Sequence, residues 1–576
     1  MYTIPTSKKR SLDEGYRTSE IPRFVQYTTP IIAPPSNPSQ AANLPLKILV
    51  HIISYLDDRG DIARVTRTCR LLCYMTLPQL YERVTLKSYA ELRCKNGRPE
   101  GFGGGSPFSM ALNGLVTRNN ANLVKHFKVE GEWNEAGDEE YAKGRIPDST
   151  VMLNTLLRIA VDRMTRLESF DWELTTKPLL SLYQGLSAQQ SLTSLTIRFP
   201  STRTPRPAIV LPAMPNLRAF RILEYDPLCH PDDASLLIFG SRKLVDLRIH
   251  FSPRMRSHAE PTISLDPLFG RCFKAGYTPK LQHFAMQNFF GRRLSWMGQI
   301  YDNTTCKSAA YLDVFGGART GSHTVYIDDT WRDLPDEIVN TCTKLRFNEP
   351  AVQHVKMLEN ATTTLEHFYC VNDHPRTGSR VGTPATIVTP DPSPDDTAHT
   401  NPELIALGKE YLYVLTRKHG ATLKHLLMCD QWALSQQEIG DVVRLCPQLT
   451  QLAVALDGPA FEVFRIIVQF LQNLEAIRIF ENDAFRAHRD VMSGQEKLLF
   501  MGRDFYRLDM HKIRYVGAGR EIFELLGNRE YVHADGTTEM IRDMRELTLE
   551  EVQHVEIWGM DKFDIMLDAP ILGAAG

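Results

Sequence analysis

The sequence predicts an α/β solenoid, with a parallel sheet inside and helices outside, preceded by a small module of three helices. Two observations predict the solenoid: a short apolar pattern recurs at intervals of about 25 residues, and segments with helical periodicity lie between its copies. A compact run of helical periodicity ahead of the first copy predicts the separate module. Because one strand and one helix cannot bury their apolar faces alone, neighbouring units must stack.

The domain boundaries follow changes in composition. A Ser-, Thr- and Pro-rich start predicts a disordered leader, and a Pro-rich stretch late in the chain predicts a long exposed insertion. The predicted domains are the leader (1–42), the helical module (43–86), a linker (87–106), the solenoid (107–566) with its insertion (372–403), and a tail (567–576).

Composition restricts the cellular setting. Hydrophobic residues make up 43% of the chain and charged residues 23%, as in ordinary folded proteins. The apolar runs are shorter than the roughly 18–20 residues that cross a bilayer, and the N-terminus lacks the apolar core of a signal peptide. We therefore expect a cytoplasmic or nuclear protein, and the basic cluster "SKKR" at 7–10 leaves the nucleus open. A net charge of −2 favours neither nucleic acid nor membrane as a partner.

The sequence carries no recognisable catalytic or cofactor motif. The glycine-rich "GFGGGSPF" at 101–108 lacks the Gly-Lys-Ser/Thr ending of a phosphate loop, and a linker in which Ser106 caps a helix with Pro107 in its first turn explains it better. Neither HExxH nor Gly-x-Ser-x-Gly occurs, and the ten cysteines include no CxxC pair. We expect no catalytic residues, cofactor or metal.

The recurring pattern has six residues and is apolar at its first, fourth and sixth positions. Several copies start 25 to 27 residues apart, which is a typical repeat length for a solenoid. Helical segments such as "DDASLLIFG" (232–240) and "SQQEIGDVVRLC" (435–446) precede some copies. The ten copies begin at Val124, Leu167, Leu192, Leu217, Leu244, Leu281, Leu365, Leu423, Leu449 and Leu474.

With these features the chain resembles the leucine-rich repeat proteins, and "VVRLCPQLTQLAV" (442–454) is similar to their cysteine-containing repeat type. The resemblance covers roughly 124–479 and matches poorly between about 290 and 360. Beyond it, 513–527 is interpreted as a closing strand and helix, and 555–566 as a final strand that caps the array.

The helical module begins with an amphipathic segment formed by Ile48, Leu49, Ile52, Ile53 and Leu56. The turn "DDRGD" then ends the first helix, with Asp61 placed to cap a second. That second helix is predicted to present a stripe of Ile62, Val65, Cys69, Leu72 and Cys73, and a short third turn spans 77–81. From periodicity alone, this module could simply cap the open end of the solenoid.

The whole segment also resembles the F-box family. Leu44 and Pro45 open the first helix, "ILVHIISYL" (48–56) stands for the family's apolar run, and "VTRTCRLL" (65–72) stands for its Val-Cys-Arg element. "LYERVTL" (80–86) matches an aromatic followed by a short strand. The chain departs from the family at Leu46-Lys47, where an acidic pair is common, and at Tyr81, where Trp is usual.

This resemblance implies that the module docks on the S-phase kinase-associated adaptor protein of an SCF-type cullin-RING ubiquitin ligase and, through it, on a cullin. The chain would then be the non-catalytic subunit that recognises a protein client for ubiquitination and proteasomal degradation. The adaptor contacts implied by analogy are Leu44, Pro45, Ile48, Leu49, Ile52, Leu56, Cys69 and Leu72. Some of them must instead hold the helices together.

Residues between the apolar anchors of each strand are expected on the recognition surface of a solenoid. Arginines on consecutive strands predict a basic spot that could bind an acidic or phosphorylated client, although ordinary solvated positions would look the same. The candidates are Arg198, Arg221, Arg248, His250 and His283, beside Asp171, Glu173 and Thr196. Two other function classes stay open: a binding scaffold without a ligase role, and an enzyme within the insertions.

Overall fold

The structure is a computed structural model, and parts of the chain lie outside the residues that it describes. The predicted leader (1–42), nearly all of the predicted insertion (372–401), the tail (567–576) and Leu44 lie outside them. The described residues are 45–91, 93–95, 98–101, 105–133, 139–200, 206, 208–252, 265–289, 300, 302, 304–312, 341–348, 350, 352–371, 402–457, 470–480, 499, 501–503, 505–506, 512–533, 536–562 and 564–566.

The chain divides into two compact units, Met1–Gln79 and Leu80–Gly576. Within the described residues, the first unit is helical, and the second contains a large sheet and its flanking helices. None of the helices in the described part of the chain is long and apolar enough to cross a membrane.

The first unit contains the three predicted helices with different boundaries: α1 (Leu46–Ser54), α2 (Arg59–Thr66) and α3 (Arg70–Tyr81), whose last two residues belong to the second unit. The N-cap of α2 is Asp58 rather than the predicted Asp61, because the Asp58 side chain accepts the Asp61 backbone N–H at 2.8 Å. The predicted second helix was too long. It stops at Thr66, and the Thr68 hydroxyl donates to the Val65 carbonyl at 2.8 Å, which satisfies part of the helix end.

The second unit begins with β1 (Arg83–Ser88), followed by a small hairpin of β2 (Cys94–Lys95) and β3 (Arg98–Pro99). The predicted linker 87–106 therefore contains regular structure. Helix α4 (Pro107–Thr117) begins as predicted, because the Ser106 hydroxyl accepts the Ser109 N–H at 3.2 Å and Pro107 occupies the first turn.

Within the described residues, seventeen strands form one sheet, and nearly all neighbours run parallel. The strand β1 pairs with β4, and most of the later strands then follow one another across the sheet in chain order. The remaining strands are β4 (His126–Gly131), β5 (Ser169–Leu174), β6 (Ser194–Arg198), β7 (Ala219–Tyr225), β8 (Asp246–Phe251), β9 (His283–Gln287), β10 (Ser308–Leu312), β11 (Lys344–Phe347), β12 (His367–Cys370), β13 (His425–Leu427), β14 (Ala433–Leu434), β15 (Gln451–Leu456), β16 (Ala476–Ile479), β17 (Tyr515–Ala518), β18 (Glu521–Val532) and β19 (Thr538–Glu546).

Helices lie between many of these strands in the chain, as the sequence predicted. Helix α12 begins with a capping box, in which Ser435 and Glu438 satisfy each other's backbone N–H groups. The helices are α5 (Glu139–Ala142), α6 (Asp148–Arg163), α7 (Leu180–Ala188), α8 (Ser235–Gly240), α9 (Asp266–Lys274), α10 (Val352–Glu359), α11 (Pro402–Val414), α12 (Gln436–Leu445), α13 (Leu549–Val552) and α14 (Glu556–Gly559).

All ten copies of the apolar pattern contribute a strand to this sheet. The strands after Leu192, Leu217 and Leu244 are direct neighbours, in the register Leu195, Phe220, Leu247. The described part of the poorly matched middle contains two further strands, β10 and β11. Their copies begin with Cys306 and Cys342 instead of leucine, and both thiols are buried in the core.

Two predictions for the C-terminal part were wrong. The segment predicted to close with a helix continues as strand β18, which turns back at Gly519 (φ +63°) and pairs antiparallel with β17 and β19. Only antiparallel pairing accepts such a tight connection. The predicted final strand at 555–566 contains helix α14 instead.

Side chains on the two faces of the sheet have different environments. The core lies between one face, with residues such as Phe127, Phe170 and Leu195, and helices that contribute residues such as Leu157 and Leu186. Strand residues alternate between faces, so the intervening side chains form the opposite face. We call it the strap face. One row on it runs in register through Lys128, Asp171, Thr196, Arg221, Arg248, Ala285, Ala310, Arg346, Tyr369, Leu427, Ala453, Arg478 and Gly517.

Candidate functional site

Helix α1 of the first unit exposes an unusual amount of apolar surface. Two of the predicted contacts, Ile48 and Ile52, keep 46% and 53% of their surface exposed, and Pro45 at the helix start is exposed as well. The predictions missed three further exposed side chains, Leu46, Val50 and Tyr55. We call these six residues the α1 surface.

A different set of residues holds the three helices together. Ile53 and Ile62 are 6% and 3% exposed, and Thr76 is fully buried, where its hydroxyl lies 2.8 Å from that of Thr66. The Gln79 side chain donates to the Leu56 carbonyl at 2.8 Å, which joins α3 to the end of α1. These contacts involve neither Ile48 nor Ile52, which leave about half of their surface exposed.

Of the other predicted adaptor contacts, some are exposed and some are partly buried within the module. Cys69 is exposed in the turn before α3, whereas Leu49, Leu56 and Leu72 are half-buried. Exposed Leu71 and Tyr74 on α3 had not been predicted. The unbroken apolar run "ILV" (48–50) could have indicated that α1 exposes apolar side chains. No single helix face can bury residues at three adjacent positions.

On the strap face, only some of the residues predicted to bind a client are accessible. Arg248 was expected to be exposed, but only 2% of it is, because its Nε lies 2.9 Å from an Asp246 oxygen and its guanidinium donates to the Ile565 carbonyl. Sequence could not show this, since Ile565 is more than three hundred residues away in the chain. Arg198 and Arg221 stay partly exposed on the neighbouring strands.

The two predicted histidines are less open than expected. Burial lowers the pKa of His250, whose ring nitrogen lies 3.2 Å from the Asn288 amide, and burial likewise lowers the pKa of His283. Both rings therefore favour the neutral form, and neither adds positive charge to the predicted basic spot near neutral pH.

Part of the strap face is covered by the C-terminal segment 549–566, which we call the C-terminal strap. Arg346 donates to the carbonyls of Met560 and Lys562 at 2.9 and 2.6 Å. Arg478 donates to the Ile557 carbonyl at 2.9 Å and forms a two-pronged ion pair with Asp561. Apolar strap residues complete the contact, and Ile557, Trp558 and Met560 pack with Leu427, Ala453 and Ala476 while Ile565 packs with Ala285 and Ala310.

A polar junction joins the strap to β11, β12 and β13. The Glu556 carboxylate accepts a hydrogen bond from Tyr369 and lies 3.3 Å from Lys344 Nζ and 3.2 Å from His425 Nδ1. Burial alone would raise the pKa of Glu556, but the His425 hydrogen bond, the Lys344 charge and the Tyr369 hydrogen bond hold it well below its usual range. Burial, with the neighbouring His425, lowers the pKa of His367 to about 4.

Strands β4 to β7 present a charged part of the strap face that remains accessible. Lys128 lies 3.0 Å from Glu130 and 2.9 Å from Glu173, and both acids are partly exposed. Arg198 pairs with Glu224, and Arg221 Nη2 lies 3.8 Å from Asp246. We call this region, with Asp171, the open strands.

The geometry of the first unit agrees with a family comparison. Residues 41–87 match the F-box-like family, a span that includes the three helices and most of β1. No curated protein matches the chain. F-box domains are typically non-catalytic adaptors that bind the S-phase kinase-associated adaptor protein in SCF complexes. Residues 41–87 of the chain therefore form an F-box-like domain.

Proposed function

We propose that this protein is the substrate-recognition subunit of an SCF-type cullin-RING ubiquitin ligase. Its F-box-like module docks on the S-phase kinase-associated adaptor protein, and its second unit binds a protein client for ubiquitination. The observation that carries this proposal is the α1 surface, which lies within the F-box-like match and exposes several large apolar side chains on one helix. A surface of this kind requires a partner.

We further infer that the second unit is a leucine-rich repeat solenoid. Support comes from the spacing of about 25 residues between copies and from their parallel pairing in constant register. Each copy places an aromatic or aliphatic residue in the core, and most copies place a polar or small one in the row on the strap face. Repeat arrays of this kind commonly bind proteins along one continuous face.

The open strands are the part of that face on which we place the client. The C-terminal strap occupies the region around Arg248, so that of the predicted arginines Arg198 and Arg221 are the accessible ones. Their present partners are Glu224 and Asp246. An acidic or phosphorylated client segment would compete with Glu224 for Arg198 through charge-assisted hydrogen bonds.

Affinity purification from cells with the proteasome blocked, followed by mass spectrometry, tests both halves of the proposal. The wild-type chain should bring down the adaptor, a cullin and at least one client that accumulates when the proteasome is inhibited. The variant with Ile48→Asp and Ile52→Asp should lose adaptor and cullin but keep the client, since both side chains are exposed and the fold should survive. The variant with Arg198→Glu and Arg221→Glu should show the opposite pattern.

Met152→Asp is the matched control, because Met152 is an exposed apolar helix residue outside the F-box-like match, 65% exposed on α6. It should keep all partners. Recovery of a client without adaptor or cullin from the wild-type chain would show a scaffold with no ligase role. Adaptor binding that survives the Ile48 and Ile52 substitutions would exclude the α1 surface as the docking site.

A further inference from the structure

The junction between the C-terminal strap and the sheet brings together two imidazoles and a carboxylate. The ligand atoms of His367, His425 and Glu556 all lie within 4.8 Å of one another. His367 and His425 occupy the same position on the neighbouring strands β12 and β13, so the parallel register aligns their rings, whose centroids are 4.5 Å apart. Glu556 reaches the pair from the first turn of helix α14.

We propose that these three residues form a binding site for a divalent transition metal ion, of which Zn²⁺ fits best. Two histidines and one carboxylate are a donor set that zinc accepts, at distances of about 2.0–2.2 Å from each ligand atom. In a tetrahedral site of that size, neighbouring ligand atoms lie about 3.3 Å apart. His425 Nδ1 and the nearer Glu556 oxygen are 3.2 Å apart already.

The surroundings of the three residues support a metal site. Tyr369 hydrogen-bonds the Glu556 carboxylate and can hold it in place once His425 turns to the metal. The nearby ammonium of Lys344 opposes binding, because it repels a second cation at the same carboxylate.

The ion would connect two adjacent strands to the strap. Glu556 is the strap's contribution, and the carbonyls that Arg478 and Arg346 contact, those of Ile557 and Met560, follow it in the segment. Metal binding would therefore fix the strap to the sheet, which is a structural role independent of adaptor docking. It predicts slower amide hydrogen exchange throughout 549–566 when the metal is bound.

Calorimetric titration of chelator-treated full-length protein with Zn²⁺, in a thiol-free reductant, measures the site directly. We expect one ion per chain. His425→Ala and the milder Glu556→Gln should each weaken binding by more than about tenfold, since loss of even an outer partner of a metal ligand typically costs 10–100-fold. Lys344→Met should bind several-fold more tightly, a gain that a metal-free hydrogen-bonded cluster would not show.

His533→Ala is the matched control, because His533 also faces a carboxylate, with its Nε2 3.2 Å from Glu539, but has no second histidine beside it in the described hairpin. It should bind Zn²⁺ as the wild type does, and Zn²⁺ should slow exchange of the strap in both. Circular dichroism checks that each variant is folded. Failure to bind one ion, binding that His425→Ala and Glu556→Gln leave unchanged, or a thiolate charge-transfer band with Co²⁺ would each overturn the proposal.

Discussion

Three buried arginines hold the C-terminal strap through its backbone carbonyls. Arg248, Arg346 and Arg478 are each 2–3% exposed, and each guanidinium donates to at least one strap carbonyl. Arginine suits this task because its planar fork offers five donors while keeping its charge at any working pH. Asp246 forms an ion pair with Arg248, and Asp561 forms one with Arg478.

Arg248→Glu should unfold the protein more easily, because it places a second carboxylate beside buried Asp246 and leaves the Ile565 carbonyl without this donor. Breaking a buried ion pair costs on the order of 3–5 kcal/mol in the free energy of unfolding. Arg198→Glu, at a partly exposed pair, should cost about 1 kcal/mol or less. Urea denaturation followed by circular dichroism measures both, and equal costs for the two variants would contradict the assigned burial.

A second cluster of buried polar side chains makes the free energy of unfolding depend on pH. His230 and Asp233 are each 2% exposed and Lys177 4%, with Lys177 paired to Asp233 and 3.4 Å from His230 Nδ1. Burial, with the Lys177 charge, lowers the pKa of His230 to about 3, although Asp226 raises it and Arg206 lowers it further. The folded protein thus holds a neutral imidazole that the unfolded chain would protonate.

The sign of the pH dependence follows from that depressed pKa. The contribution of His230 is fully present above about pH 6.5 and is lost as pH falls below it, at about 1.4 kcal/mol per pH unit, until the pKa of about 3 is reached. His230→Gln should therefore flatten the fall in unfolding free energy between about pH 6.5 and 5. Urea denaturation at several pH values measures it, and parallel curves for wild type and variant would count against a neutral buried His230.

Among the structural elements, the strap depends on tight packing against the sheet. Trp558 is 2% exposed and lies over Gly517 in strand β17, where a Cβ atom would come within 2.7 Å of the indole. The same Cβ would lie 3.5 Å from Arg478 Cγ. Glycine is thus required at this position because the strap approaches the strand backbone closely.

Gly517→Ala should displace Trp558 and loosen the strap, at a cost of about 1–3 kcal/mol for overpacking. Gly440→Ala in helix α12 is the control, because no atom lies within 4 Å of the added Cβ, and it should stabilise the protein by about 0.5–1 kcal/mol. Hydrogen exchange should rise across 549–566 only in Gly517→Ala. Unchanged exchange there would show that Trp558 does not anchor the strap.

The sequence predicted the elements that are specified by a short pattern of consecutive residues. The strands after Leu192, Leu217 and Leu244 could be located because each repeats the same apolar spacing over six residues. The strap could not be located, since residues such as Ile557, Trp558 and Ile565 are buried by contacts with strands up to several hundred residues away. Strand β18 was misassigned because its apolar residues, Ile522, Phe523 and Leu525, fit neither period clearly.

At the scale of the whole molecule, the two units divide the proposed functions. The family match and the exposed α1 surface belong to the helical module, while the open strands and the strap belong to the sheet. The sequence placed the proposed adaptor site partly on the first helix but could not separate exposed Ile48 and Ile52 from buried Ile53, because all three fit one amphipathic pattern. It missed the burial of Arg248 because only the folded chain brings the strap to that strand.

The most direct test of the central claim is the mass of the species formed when the purified chain is mixed with the purified S-phase kinase-associated adaptor protein, measured by size exclusion with light scattering. We predict a stable one-to-one complex, which is lost with Ile48→Asp and Ile52→Asp and kept with Met152→Asp. Each anchor substitution should cost on the order of 2 kcal/mol or more, a weakening of about thirtyfold. If the folded wild-type chain elutes separately from the adaptor at micromolar concentrations, the module is not a ligase docking site.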